Sequence, residues 1–148
     1  MQQADNNDRS AGQPFFEEGV AAGFPSPASG ELHESLSLNE LCVTHPATTY
    51  YVRARGESMT GAGIEDGDIL VVDRSLIPAN GDIIIAAIDG EFTVKRLVVD
   101  GPRVMLVAAH PAYKPRLLTP EERSELFGVV TWTVKPLRRT RTAGNMGD

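Results

Sequence analysis

From Thr49 onward the chain divides into short apolar runs: TYYVRA, DILVV, DIIIAAI, EFTVKRLVV, RVMLVAA and LFGVVTWTV. Each is rich in β-branched and aromatic residues, and Gly, Pro, Asn or Asp separates it from the next, the pattern of strands joined by tight turns. Asp89-Gly90, between IIIAAI and EFTVKRL, is a two-residue hairpin signal, because both turn positions need positive φ. Closely spaced strands with little helix predict a mainly β fold, a compact, strongly bent antiparallel sheet or partial barrel. One short helix is expected near Leu38 to Val43, with Ser37 capping its start and His45-Pro46 ending it.

The first 30 residues break this pattern. They are rich in Gln, Asn, Asp, Ser, Gly and Pro, with Phe15, Phe16, Val20 and Phe24 as the large apolar residues. Such a stretch buries little surface and reads as a flexible N-terminal arm, residues 1–30, too poorly patterned for a helix-turn-helix module. The β domain is expected over residues 31–138. Beyond Pro136 the sequence loses all periodicity, so residues 139–148 are expected to be a disordered tail.

Composition narrows the functional classes. A chain of 148 residues supports one domain with a real core. The net charge of −6 argues against direct sequence-specific DNA binding, so any DNA-linked role is expected to run through protein partners. No run approaches the roughly 18 apolar residues of a membrane span, and MQQADNNDRS is not a signal peptide, which points to the cytoplasm and to no membrane contact. Cys42 stands alone, so neither an internal disulfide nor a cysteine zinc site is expected, and no metal or cofactor is implied.

The histidines His33, His45 and His110 have no carboxylate at a spacing that marks a triad, and they read as structural or exposed. Glu65, Asp66 and Asp68 fit a turn better than an acid–base pair, and the glycine-rich segment lacks the order of a phosphate loop. Two residues invite more. Ser58 sits in the bare loop GESMTGAGIEDGDILVV, where its hydroxyl either caps a turn or serves as a nucleophile. Lys95 lies within EFTVKRLVV, where alternation puts it on one face with Thr93, Leu97 and Val99. Leu97 and Val99 would desolvate the amine and Thr93 would orient it. A lysine within a strand is otherwise an edge residue or snorkels to water.

Together, Ser58 and Lys95, 37 residues apart, resemble the Ser-Lys dyad of the LexA/UmuD family of self-cleaving serine peptidases. GESM followed by GIEDGDILVVD is similar to that family's nucleophile loop and next strand, and GDIIIAAIDGEFTVKRL to its lysine-bearing hairpin. AAGFPSP resembles the self-cleavage site, with Ala22–Gly23 as the broken bond. GFPSPA, LNEL, HPATTYYV, DGEFTVKRL and FGVVTWTVKP are most similar to the UmuD-like members. The resemblance spans about Gly23 to Arg138. The first 20 residues match no pattern of the family.

The resemblance implies a peptidase of the DNA-damage (SOS) response. A RecA nucleoprotein filament would stimulate its cleavage, and its trimmed homodimer would join a UmuC-like, error-prone translesion polymerase subunit. A repressor of this family carries a DNA-binding module before its cleavage site. The 22 residues here are too few for one. Neutral Lys95 would take the proton of Ser58, whose oxygen attacks the Ala22 carbonyl, while backbone amides near Glu57 and Ser58 hold the oxyanion. Small Ala22 and Gly23 allow close approach, and Pro25 and Pro27 favour an extended substrate. Met59 is either a specificity contact or a packing residue; Gly63, Asp66, Gly67 and Asp68 read as turn architecture.

Two alternatives share the fold: a non-cleaving polymerase-accessory binding module, and a signal-peptidase-like enzyme acting on other chains. The built-in substrate and lack of an apolar anchor weigh against the latter. LFGVVTWTV is either the dimer interface or a central core strand.

Overall fold

The computed structural model describes residues 12–16, 19–20 and 34–138. The proposed cleavage bond Ala22–Gly23, His33 and the tail 139–148 lie outside the described residues. The chain forms two compact units, Met1–Thr44 and His45–Asp148.

In the first unit, β1 (Gln13–Phe15) pairs antiparallel with β2 (Glu34–Leu36), Pro14 opposite Ser35. Neither strand was expected, because three-residue runs such as QPF and ESL are too short to show alternation. Part of the stretch read as an arm is therefore paired. The helix α1 (Leu38–Cys42) follows, and the Ser37 side chain accepts from the Glu40 backbone N–H as an N-cap should.

The second unit holds β3 (Thr49–Arg53), β4 (Ile69–Asp73), β5 (Ile83–Ile88), β6 (Glu91–Asp100), β7 (Arg103–Val107), β8 (Arg116–Leu117) and β9 (Leu126–Val134). They form one antiparallel sheet in the order β3-β4-β9-β5-β6-β7-β8, open at its two ends. The β5–β6 hairpin turns at Asp89-Gly90, both with positive φ as the sequence predicts. β8 was missed, since two residues between prolines and loops carry no period.

The sheet bends where register shifts, between Val71 and Val72 against β9 and between Ile85 and Ala86 against β9. Gly128 sits inside that bend. A Cβ there would come within 2.7 Å of a Val72 methyl, so close packing of two strands requires glycine. Bending divides the core into two clusters. Ile84, Ala86 and Ile88 face Leu97, Leu106 and Leu118, while Ile85 faces the second cluster of Ala54, Met59, Ile64, Leu70 and Val72. β5 is thus buried on both faces, which explains why DIIIAAI reads as a continuous apolar run.

LFGVVTWTV proves to be an interior strand. Its first half pairs with β5 and its second with β4. Its apolar content serves packing at Val129 and Val130, while Trp132 and Val134 remain exposed. Among the described residues no helix is long and apolar enough to cross a membrane.

Candidate active site

The nucleophile loop is built on the second core cluster. Met59 is only 3% exposed and packs with Ala54, Ile64, Leu70 and Ile85, so it anchors the loop from beneath. Gly56 and Gly63 take φ of +84°, a conformation that side chains resist. The Asp66 carboxylate accepts from the Gly56 N–H at 2.8 Å, which ties the start of the loop to the turn before β4. Gly61 is pressed against the Ala109 carbonyl, to which its own N–H donates at 2.8 Å. A Cβ at Gly61 would stand 2.6 Å from that oxygen. Only glycine fits.

Ser58 is held half-buried at the mouth of this loop, and β6 brings Lys95 to it. The Lys95 Nζ donates to Ser58 Oγ at 3.0 Å, to Thr93 Oγ1 at 2.8 Å and to the Val94 carbonyl at 3.0 Å. The sequence-predicted pair is therefore in direct contact. Burial holds the Lys95 amine below the ordinary lysine range, as it disfavours the charged form. The three contacts also suit the neutral amine. It would keep two N–H bonds, to Thr93 and Val94, and point its lone pair at the Ser58 hydroxyl.

The desolvating groups are not all those expected. Val99 is 41% exposed near the end of β6, and Leu97 belongs to the other core cluster. Val52, Met59, Ile64 and Ile85 do this work instead, lining with Ser58 and Lys95 a cleft of ≈ 250 Å³. Alternation along one strand could not reveal them, because they come from β3, β5 and the serine loop. The Val94 carbonyl and the cleft residues Arg53, Arg55 and Phe92 were likewise not singled out.

Among the described residues, the backbone N–H groups of Glu57, Ser58 and Met59 donate to no protein acceptor. They are available to an oxyanion formed beside Ser58. Gly63, Asp66, Gly67 and Asp68 shape the following turn. Gly67 has φ +93°, and buried Asp68 accepts from the Glu65 N–H and from Lys135.

A second serine, histidine and aspartate meet elsewhere. His45 Nδ1 lies 2.6 Å from Asp73 Oδ2 and 3.3 Å from Ser75 Oγ. A catalytic triad places its serine and carboxylate on opposite ring nitrogens. Here both share Nδ1, and Ser75 Oγ donates to Asp73 at 2.7 Å. With Thr48 also donating to Asp73 at 3.0 Å, this is a clamp between the start of β3 and the end of β4. His110 accepts from the Ala112 N–H and packs edge-on to Tyr113.

The fold agrees with what comparison with known proteins shows. A family model described as Peptidase S24-like matches residues 14–131. The chain belongs to the S24-like peptidase family. Among similar proteins, Protein ImpA of Escherichia coli is 46% identical over 136 residues, covering 92% of each chain. Protein SamA of Salmonella typhimurium is 49% identical over 127 residues, 86% of this chain and 88% of SamA. A LexA repressor from Oleidesulfovibrio alaskensis is 40% identical over 114 residues, 75% of this S24-like chain but 53% of the repressor. The resemblance to the LexA/UmuD family drawn from the sequence thus stands.

Proposed function

We propose that this S24-like protein is a self-cleaving serine endopeptidase of the DNA-damage (SOS) response. The observation that carries the reading is the 3.0 Å contact between Lys95 Nζ and Ser58 Oγ, where burial favours the neutral amine. Lys95 takes the Ser58 proton as the oxygen adds to the Ala22 carbonyl, and the free amides at Glu57 to Met59 hold the oxyanion. Collapse breaks the Ala22–Gly23 bond, with the lysine's proton passing to the departing Gly23 amine. Water then releases the acyl group from Ser58. A tethered substrate has high effective concentration, so weak binding suffices. A RecA nucleoprotein filament stimulates the cut in this reading. The trimmed product acts as a homodimer, the accessory subunit of a UmuC-like translesion polymerase.

The test is the intact mass of the pure chain before and after alkaline incubation, repeated with activated RecA filament. A product beginning at Gly23, absent in Ser58→Ala and Lys95→Ala, is the expected result. A dominant product with any other start, or one formed equally by Lys95→Ala, would overturn it.

A further inference from the structure

The cleft beside Ser58 is charged in one sense. Arg53, Arg55 and Lys95 line it, and no Asp or Glu does, although the chain as a whole carries a net −6. Lys95 is engaged by Ser58, Thr93 and Val94, and one Arg53 N–H donates to the Gly67 carbonyl at 3.0 Å. Arg55 is exposed and, among the described residues, makes no ion pair or side-chain hydrogen bond. A guanidinium with no internal partner on the rim of a cleft suits an anionic group brought by a ligand.

The strand carrying Arg53 adds a second feature. β3 is an end strand of the sheet. Ala54 directs its backbone N–H and C=O to Asp68 and Gly67, so alternation turns those of Arg53 to the open edge. An extended peptide can pair along such an edge, main-chain bonds giving affinity and side chains giving selectivity.

We infer that Arg55, assisted by Arg53, selects the substrate by its acidic residues, and that the acidic pair Glu17-Glu18 of this chain is what it reads. The inference rests on the proposed cut at Ala22–Gly23. Glu18 and Glu17 lie four and five residues before Ala22, within about 14 and 18 Å of it in an extended chain. Arg55 and Arg53 lie three and five residues before Ser58, at most about 11 and 18 Å from it, so the arm is long enough to bring the acidic pair to them. The arm delivering the pair comes from the same chain or from a second copy; the charge pairing is the same.

The experiment is a charge-reversal cycle in the full chain, following cleavage by intact mass across the pH profile at low salt. Rates are compared on the high-pH plateau, which separates binding from any effect of the new charge on the Lys95 amine. Arg55→Glu is expected to slow the cut about tenfold, as loss of an exposed ion pair and gain of a repulsion would. Glu18→Arg should do the same, and Arg55→Glu with Glu18→Arg should recover most of the rate. Added salt should slow the wild type and leave Arg55→Gln nearly unaffected. Reversals that slow cleavage without mutual rescue would mean a structural role and overturn the inference. So would an unchanged rate for Arg55→Glu, or a loss confined to filament-stimulated cleavage, which would assign the arginines to a partner. If the wild type does not cut at Ala22–Gly23, it is the proposed function that fails.

Discussion

At the scale of the residue, the proposed cleavage turns on one proton. Only neutral Lys95 can accept it, and burial lowers the amine's pKa below the ordinary lysine value. Unassisted cleavage should therefore rise with pH and level off before about 10.4, where an unperturbed lysine titrates. A histidine base would level off by roughly pH 7 to 8, so a plateau there that persists in Lys95→Ala would exclude Lys95. Lys95→Arg should be inactive throughout, because guanidinium stays protonated. Thr93 gives a finer test. Its hydroxyl accepts the shortest of the three Lys95 bonds, at 2.8 Å, and so helps to orient the amine. Thr93→Val keeps the strand shape and removes that acceptor, so cleavage should fall by up to about tenfold, the scale of one net hydrogen bond. Equal thermal unfolding of the two proteins would show that the loss lies in orientation.

At the scale of the element, two glycines separate stability from activity. Gly128 lies in the bent part of β9 against Val72, and Gly61 lies in the serine loop against Ala109. Gly128→Ala forces side-chain overlap in the core and should destabilise by about 1–3 kcal/mol, read as a lower urea midpoint. Its cleavage under native conditions should change little. Gly61→Ala pushes on a backbone carbonyl, so the loop that carries Ser58 must move. A misplacement near 1 Å costs about 100-fold in rate, and cleavage should fall far more than stability. The contrast also shows what sequence can disclose. The hairpin at Asp89-Gly90, the long strands and the Ser58–Lys95 pair were legible, since each rests on local pattern or on motifs in order. The place of LFGVVTWTV between β4 and β5, the contact of Gly61 with Ala109 and the walls that desolvate Lys95 were not. All three join segments distant in sequence, and no local periodicity encodes which strand neighbours which.

At the scale of the molecule, the second unit is tied together by buried and partly buried carboxylates. The bond with His45, with help from Ser75 and Thr48, holds Asp73 far below the usual carboxylate range. The bond with Arg116, with the Thr119 backbone N–H, holds Glu122 at about 2. Burial pushes Asp68 up, but the Glu65 N–H and Lys135 outweigh it and its pKa is lowered. A carboxylate whose pKa is depressed on folding contributes stability above its unfolded value, near 4, and loses it as pH falls through the folded value. The second unit should therefore lose stability progressively from about pH 4 to pH 2 and below. Global charge acts in the same direction. As the 20 Asp and Glu neutralise, 14 Lys and Arg and three His are left without counter-charges, and repulsion grows. The two causes part company in Asp73→Asn. That variant lacks the His45 pairing, so its urea midpoint should be lower at pH 7. It should also depend less on pH between 4 and 2, because one linked proton is gone while global repulsion is nearly unchanged. Parallel curves for the two proteins over that range would assign acid unfolding to repulsion and remove the β3–β4 clamp as its origin.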